Sequence, residues 1–331
     1  MWLLACCALV FAMVVVGGVT RLTRSGLSIV EWSPIAGAIP PLGESDWQEL
    51  FDAYKRTPEY ERVNWDMSLQ DFKGIFWWEF IHRLLGRLIG VAFLLPLLVF
   101  VWKKKIERAL TPRLVAIFLL GGLQGAVGWW MVASGLIDDP RVSHVRLSIH
   151  LGIAFLIFAA MFWTALGLLA RSPATTDPRR RRLVRYGVGL SVLMFVMVLS
   201  GALVAGTRAG YAYNTFPLMN GQLFPAEYFM LSPWWDNLLH NMATVQFNHR
   251  AIAWLLFFLV PVWWWAIRRG APLRARAAAN FLLAMLVIQL ALGISTLLLR
   301  VPIALGAAHQ AGAMALFALA LWTTHRLGRA A

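Results

Sequence analysis

The stretch GIFWWEFIHRLLGRLIGVAFLLPLLVFVW (74–102) decides the fold class of this chain. It is apolar and exceeds the about 20 residues that an α-helix needs to cross a bilayer. Nevertheless, its segment EFIHR (79–83) holds a glutamate, a histidine and an arginine. Charged side chains in hydrocarbon cost about 2.5–3.5 kcal/mol each even on lenient insertion scales, so they are rare there and generally functional. The segment therefore predicts a membrane helix that carries a functional polar group.

The composition is typical of a polytopic membrane protein. Of 331 residues, 60% are apolar and 14% are charged. A net charge of +14 can also indicate a nucleic-acid partner, but here the basic residues lie in short loops between apolar spans. That distribution is a signal of membrane orientation. We therefore expect a lipid bilayer around the protein and no DNA or RNA partner.

The hydropathy pattern predicts eight transmembrane helices. Each apolar span is long enough to cross the ~30 Å of hydrocarbon in a bilayer. The spans run over residues 2–20, 76–102, 113–135, 146–170, 184–206, 245–267, 277–299 and 302–324.

The loops between the spans alternate in charge. Loop 21–75 holds nine acidic and six basic residues, and Arg208 is the only basic residue of loop 207–244. Because Lys and Arg stay in cytoplasmic loops, we expect both termini in the cytoplasm and these two loops outside a bacterial inner membrane. The basic loops are KKKIERALTPR (103–113), RSPATTDPRRRRLVR (171–185) and RRGAPLRAR (268–276).

The first span is expected to be a retained helix. Residues 2–20 lack the basic segment that precedes a cleaved signal sequence. The only cysteines, Cys6 and Cys7, lie within this span and form neither a Cys-x-x-Cys nor a haem-attachment motif. We therefore expect them to be packing residues.

The chain repeats itself, which predicts its organisation. TRSG (23–26) returns as TRAG (207–210), and EFIHR returns as QFNHR (246–250). Four spans per half give both halves the same orientation. We therefore predict an all-α fold of two tandem four-helix bundles, residues 1–171 and 172–331, related by a pseudo-two-fold axis along the membrane normal. Further repeat pairs are Gly37 and Gly221, Pro41 and Pro225, Gln124 and Gln289, and Gly128 and Gly293.

Four of the seven histidines occupy matching repeat positions. His82 and His150 lie in the second and fourth spans of the first half, and His249 and His309 lie in the same spans of the second. All four are expected within about two turns of the outer surface. A single buried histidine is commonly a hydrogen-bonded core residue, but two matched pairs indicate a ligand. The other histidines are expected to be surface or interface residues with no dedicated role, although two of them, His144 and His240, are close enough to the outer face to touch a bound group; the third is His325.

The kind of ligand follows from the donors available. Zinc needs three or four ligands, and a carboxylate-bridged di-iron site needs several glutamates with paired Glu-x-x-His motifs. Haem needs only one or two axial imidazoles in an apolar slot, together with cations for its propionates. The sequence therefore predicts two haem sites near the outer side. Candidate propionate contacts are Arg21, Arg24, Arg83, Arg146, Arg208 and Arg250, although each could instead lie at the membrane interface.

The two predicted sites differ in chemistry. Glu79 lies three residues before His82 and thus on the same helix face, whereas Gln246 takes its place in the second half. A carboxylate in an apolar pocket is suited to proton transfer. We therefore assign chemistry to the first half and electron transfer or structural support to the second. The alternative is that Glu79 forms a salt bridge with a nearby arginine.

Three stretches resemble the haem A synthase family, in particular its alphaproteobacterial and mitochondrial branch. They are GGVTRLTRSGLSIVEWSPIAGAIPPL (17–42), WWEFIHRLLGR (77–87) and NHRAIAW (248–254), and the likeness extends over essentially the whole chain. The resemblance implies an oxidoreductase that converts the C8 methyl group of haem O to a formyl group. The product would be haem A for cytochrome c oxidase.

The resemblance also implies roles for individual residues. His82 and His150 would ligate or face the substrate haem, with Glu79 as the catalytic carboxylate. His249 and His309 would bind the iron of a haem b prosthetic group. Some bacterial members carry a cysteine pair in the first outer loop, but this chain has no cysteine there.

Two other functions compete with this assignment. One is a dihaem membrane cytochrome b that transfers electrons, for example from quinol; the other is a transporter or haem carrier. Candidate partners are haem O synthase and cytochrome oxidase assembly factors, and a homo-oligomer is also compatible with the sequence. Loop 21–75 is expected to contain one or two amphipathic helices over the first site, as a lid or as a docking surface for the haem donor.

Overall fold

The computed structural model describes residues 1–33, 36–170 and 172–329 of the chain, and within these ranges it is helical without β-strands. Eight of the described helices are long and apolar enough to cross a membrane, which confirms the eight predicted spans. These helices are α1 (Trp2–Leu22), α4 (Leu69–Trp102), α5 (Thr111–Ala133), α6 (His144–Leu169), α7 (Pro178–Thr207), α10 (Met242–Arg268), α11 (Leu273–Leu298) and α12 (Ile303–Leu327).

Short helices fill the two long outer loops. The first loop contains α2 (Glu44–Tyr54) and α3 (Pro58–Arg62), as expected for an amphipathic segment, and a 3₁₀ turn at Ala36–Ala38. The second contains α8 (Ala209–Ala212) and α9 (Asn237–His240), with 3₁₀ turns at Ala226–Phe229 and Trp234–Asp236.

Helix α4 is longer than a membrane crossing requires. Its 34 residues extend over ~51 Å at 1.5 Å per residue, compared with ~30 Å of hydrocarbon. The helix begins at a capping box, in which Ser68 accepts a hydrogen bond from the backbone N–H of Asp71 while the Asp71 side chain contacts the backbone N–H of Ser68. Because the first turns are amphipathic rather than apolar, the hydropathy pattern placed the start of this span at residue 76 instead of 69.

An aromatic cluster joins α2 to the outer end of α4. Phe72 and Phe76 of α4 pack against Trp47, Phe51 and Tyr54 of α2, all of them buried. Ring centroids lie 5.2 Å apart for Phe72 with Phe51 and with Tyr54. Burial, and then the neighbouring Glu59 carboxylate, raise the pKa of the Tyr54 phenol above its ordinary value. The outer helices thus have a hydrophobic core of their own.

The chain divides into two compact units, with the boundary in the sequence of α6: one comprises Trp2–Ile157 and the other Phe158–Ala331 with Met1. In the first unit, α1 packs along α4, and α4 contacts α5. The predicted domain boundary after residue 171 and the pseudo-two-fold axis stay predictions, and Arg171 lies outside the described residues, as do Pro34 and Ile35 of the stretch 17–42.

In the second unit, four helices contact one another in a closed ring, α7 with α10, α10 with α11, α11 with α12 and α12 with α7. Near the inner ends of α7 and α10, a Cβ on Gly187 would lie 2.5 Å from the ring of Trp263, so only glycine fits this crossing. The indole of Trp263 is buried and donates a hydrogen bond to the carbonyl oxygen of Leu183 at 3.0 Å. This close packing fixes the direction in which α10 carries His249.

Candidate functional site

The two candidate histidines of the first unit each pack against a glycine on a neighbouring helix. A Cβ built on Gly17 of α1 would lie 2.8 Å from Cε1 of His82 on α4. The same distance separates a Cβ on Gly128 of α5 from Cε1 of His150 on α6. Carbon atoms in ordinary contact are about 3.5–4.0 Å apart, so a larger residue at either position would displace the imidazole.

The second unit repeats this arrangement. A Cβ on Gly201 of α7 would lie 3.1 Å from Cε1 of His249 on α10, and one on Gly293 of α11 would lie 2.8 Å from Cε1 of His309 on α12. Each of the four imidazoles therefore rests edge-on in a notch that the missing glycine side chain leaves. We call these four contacts the glycine seats.

Within each unit the two imidazoles interact electrostatically. His82 lies within electrostatic range of His150, and His249 lies within that range of His309. All four histidines are half-buried. His150, His249 and His309 lie within the first eight residues of their helices, which start from the side predicted to be outside. The geometry thus brings together the pairs that the repeat predicts.

The pairs differ in the surroundings of the Nδ1 atoms. In the first unit, Nδ1 of His82 and Nδ1 of His150 are buried, and neither has a hydrogen-bond partner among the described residues. The amide nitrogen of Gln124 lies 3.5 Å from the other nitrogen of His150, Nε2, at the outer limit of a hydrogen bond.

In the second unit, both Nδ1 atoms have a side-chain partner. The hydroxyl oxygen of Ser200 on α7 lies 3.2 Å from Nδ1 of His249. The amide nitrogen of Gln289 lies 3.1 Å from Nδ1 of His309 and also donates to the carbonyl oxygen of the same residue at 2.9 Å. Hydrogen bonds of this kind restrict the rotation of an imidazole.

Glu79 is almost completely buried, with 2% of its surface exposed. One carboxylate oxygen accepts hydrogen bonds from the hydroxyl of Ser28 at 2.7 Å and from the backbone N–H of Ile29 at 2.9 Å. The other accepts two from the guanidinium of Arg83, at 2.6 and 3.1 Å. The salt bridge considered as the alternative role of Glu79 is therefore present, and the carboxylate lies among polar donors rather than in an apolar pocket.

Arg83 also holds the outer loop. It donates to the carbonyl oxygens of Ile29 at 2.8 Å and of Glu31 at 3.2 Å. In the second unit, Gln246 and Arg250 both donate to the carbonyl oxygen of Tyr213 at 2.8 Å. Ile29 and Tyr213 are 184 positions apart, the same offset as TRSG and TRAG. Helices α4 and α10 thus bind matching positions of the loops that follow α1 and α7, and we call these contacts the loop clamps.

The other candidate arginines differ in their surroundings. Arg146 donates to the carbonyl oxygen of Trp130 at 2.8 Å and lies over its ring, 4.3 Å from the centroid. Arg24 and Arg208 are exposed, and both adopt a left-handed backbone conformation, with φ of 55° and 58°. Arg21 is half-buried. The repeat is therefore visible in the backbone as well, and contacts of these six arginines with propionates stay predictions.

The three remaining histidines are not among the four that face a glycine. His325 is buried near the inner end of α12, edge-on to the ring of Trp163 with 5.2 Å between ring centroids, so the expected surface or interface position is wrong for this residue. His144 begins α6 and is half-buried, and His240 is exposed at the end of α9.

Sequence reasoning missed several residues that contact the histidines and Glu79. The repeat contained a signal for two of them, because Gly17 and Gly201 are also 184 positions apart. Ser200 could have been found by the same comparison, since it precedes Gly201. No sequence signal pointed to Ser28, whose contact with Glu79 depends on how the outer loop folds back onto α4.

The fold and the site define a class: a polytopic helical membrane protein in which each of two units holds a pair of seated imidazoles. Comparison with known proteins is more specific. The chain belongs to the family described as cytochrome oxidase assembly protein (COX15-CtaA), whose model matches residues 1–321. This confirms the family resemblance seen in the sequence.

Its relatives match over nearly their full length. The chain is 59% identical over 331 residues to a protein named Heme A synthase from Nitrosospira multiformis, covering 99% of this chain and 93% of the relative. It is 56% identical to the Heme A synthase of Nitrosomonas eutropha, with 98% and 92% covered. Identity to the Heme A synthase of Parvibaculum lavamentivorans is 51%, with 99% and 94% covered.

Proposed function

We propose that this protein is a haem A synthase, an oxidoreductase that converts the C8 methyl group of haem O to the formyl group of haem A. The observation that carries this assignment is the presence of two seated imidazole pairs in a chain that matches proteins named Heme A synthase over 98–99% of its length. Haem O is the substrate and haem A is the product.

Haem b is the proposed prosthetic group of the second unit, and the residues there fit it. His249 and His309 are paired, their Cε1 atoms lie against glycines, and their Nδ1 atoms have side-chain partners. The Ser200 hydroxyl can accept a hydrogen bond from Nδ1 of His249, which leaves Nε2 of that ring for iron. When bound, haem b would supply one-electron redox chemistry.

His82 and His150 are the proposed ligands of the substrate haem in the first unit. Their glycine seats match those of the second unit, so His82 and His150 would hold this haem as the second pair would hold haem b. This arrangement would place a macrocycle near the outer ends of the helices, in agreement with the proposed cytoplasmic location of both termini. Haem O synthase, as donor of the substrate, and cytochrome oxidase assembly factors stay proposed partners.

Glu79 is the proposed catalytic carboxylate. It is buried three residues before His82, on the same face of α4. Because four hydrogen bonds from Ser28, Ile29 and Arg83 reach its two oxygens, Glu79 can accept a proton only if some of these donors move away. The same contacts let it hold the outer loop against the histidine-bearing helix.

The test is to identify the haems bound to the purified protein. The protein is expressed in cells that make haem O, and the extracted haems are separated by chromatography. Haem b together with haem O or haem A supports the proposal. Haem b alone, near two per chain, would instead indicate an electron-transferring cytochrome, and no haem at all would refute both functions.

Three variants assign the sites. His249→Ala should remove haem b, while His82→Ala should remove haem O and haem A and leave haem b bound. His240→Ala is the matched control, because this exposed histidine is not one of the four that face a glycine. Loss of the same haem from both His249→Ala and His82→Ala would refute the assignment of one haem to each unit.

A further inference from the structure

The glycine seats are alike in the two units, but the atoms that face Nδ1 are not. Gly17 and Gly201 face His82 and His249 in the same way, since a Cβ added to them would lie 2.8 and 3.1 Å, respectively, from Cε1 of the ring. Since these glycines are 184 positions apart, the residues before them correspond as well. The residue before Gly201 is Ser200, and the residue before Gly17 is a valine, Val16.

The difference between serine and valine changes which hydrogen bonds the imidazole can form. The Ser200 hydroxyl lies 3.2 Å from Nδ1 of His249 and can accept a hydrogen bond from it. Valine has no polar atom to offer, and Nδ1 of His82 is buried without a partner among the described residues. A histidine that binds a metal through one nitrogen commonly donates its other N–H to an acceptor, which fixes the ring and strengthens the metal bond.

His309 and His150, the second members of the two pairs, also differ in the contacts of their Nδ1 atoms. Gln289 contacts Nδ1 of His309 and is fixed by a second hydrogen bond to the carbonyl oxygen of that residue. Its repeat counterpart, Gln124, contacts Nε2 of His150 instead, and Nδ1 of His150 is left unpartnered. Both Nδ1 atoms of one pair therefore have a side-chain partner and those of the other pair have none among the described residues, but only the Ser200 hydroxyl can accept a hydrogen bond from Nδ1–H.

We propose that Ser200 is a positioning residue that orients His249 for permanent iron ligation, and that valine at the matching position, Val16, leaves His82 free to release its haem. This inference rests on the proposed function, in which the second unit retains a prosthetic haem while the first exchanges substrate for product. The same glycine contact thus supports a histidine that binds iron permanently in the second unit and one that binds it temporarily in the first.

The first test measures how fast haem b leaves the full-length protein. The purified protein in detergent is mixed with excess apomyoglobin, and haem transfer is followed by absorbance. Ser200→Ala should accelerate the loss of haem b by roughly 10- to 100-fold, the usual effect of removing a partner that orients a metal ligand. Ser200→Thr, which keeps the hydroxyl, should restore the slow rate.

A spectroscopic measurement separates positioning from a general loss of structure. In Ser200→Ala, the reduction potential of haem b and the electron paramagnetic resonance of its ferric iron should change, because both respond to ligand orientation and basicity. Ser200→Thr should leave both close to the wild-type values. Release at the wild-type rate with unchanged spectra in Ser200→Ala would overturn the proposal.

The reciprocal variant tests the first unit and does not depend on the stability of Ser200→Ala. Val16→Ser introduces a hydroxyl at the repeat position that Ser200 occupies beside His249. It should slow transfer of haem O or haem A to apomyoglobin and increase the fraction of product that copurifies with the protein. Unchanged release from this variant would also overturn the proposal. Absence of haem O and haem A from the wild-type protein would instead refute the proposed function and leave the Ser200 comparison intact.

Discussion

Replacing Gly128 by alanine should displace the imidazole of His150. The new Cβ would lie 2.8 Å from Cε1, so the ring must move by at least about 0.6 Å to reach the 3.4 Å at which ordinary contact begins. Forcing an extra methyl group into a close-packed site costs about 1–3 kcal/mol. Alanine also favours the helix by up to ~1 kcal/mol relative to glycine. The net expectation is a loss of up to about 2 kcal/mol in the free energy of unfolding.

Gly125 on the same helix provides the matched control. A Cβ at this position meets no atom within 4 Å, so Gly125→Ala should gain only the helix preference of alanine. The two variants are compared by thermal unfolding of the purified protein in detergent and by the optical spectrum of the bound haems. Gly128→Ala should unfold at the lower temperature and alter the spectrum of the haem in the first unit, whereas Gly125→Ala should do neither.

A double-mutant cycle identifies the cause of the effect. Once His150 is replaced by alanine, the ring that the new methyl group would strike is absent, so most of the loss from Gly128→Ala should disappear. Equal unfolding temperatures and spectra for Gly128→Ala and Gly125→Ala would refute the close-contact reasoning. So would a loss from Gly128→Ala that persists in full without the His150 ring.

Three further predictions concern the loop clamp and the outer helices. Glu79→Ala leaves Arg83 without its buried partner and should lower the free energy of unfolding by about 3–5 kcal/mol. Glu79→Gln should lower it by only about 1–3 kcal/mol, because an amide oxygen can still accept hydrogen bonds. Both variants are measured by denaturation in detergent. Phe72→Ala removes a ring with 0% exposure and should cost about 3–5 kcal/mol, seen as faster protease cleavage within residues 44–62. Because burial raises the pKa of Tyr54 above its ordinary value of 10.0, protease resistance of these helices should be constant below pH 10 and fall above it.

Each of these predictions has a control. Gln246→Ala in the second unit removes an uncharged member of a loop clamp and should cost less than Glu79→Ala; a larger cost would contradict the ion-pair argument. Trp65, 70% exposed in the same outer loop, should tolerate alanine with little change in cleavage, unlike Phe72. Tyr54→Phe should abolish the alkaline loss of resistance, and its persistence in that variant would show that another group titrates.

The sequence predicted what depends on local pattern and repetition. All eight spans were found because each is apolar over the thickness of a bilayer, and the pairing of His82 with His150 and of His249 with His309 followed from matching positions in the repeat. The outer turns of α4 were missed because they are stabilised by packing against α2, which an apolar span does not reveal.

The contacts of the site could be predicted only in part. The salt bridge between Glu79 and Arg83 was one of two open alternatives, since residues four apart on a helix can pair. The contacts of Ser28 and Ile29 with Glu79 depend on the path of an outer loop. A loop has no repeating hydrophobic pattern from which this path could be predicted. The glycine seats could have been predicted from the spacing of Gly17 and Gly201, but only the fold shows that a histidine ring occupies each notch.

The length of α4 makes it a lever. Phe72 in the aromatic cluster and His82 in its seat are ten residues apart on one continuous helix, a distance of ~15 Å at 1.5 Å per residue. Pro96, the only proline within α4, lies beyond both of them. A tilt of about 5° around the aromatic cluster would therefore move His82 by ~1.3 Å, about twice the displacement expected for the His150 ring in Gly128→Ala. Any force on α2 would thus be transmitted along helix α4 to the imidazole of His82.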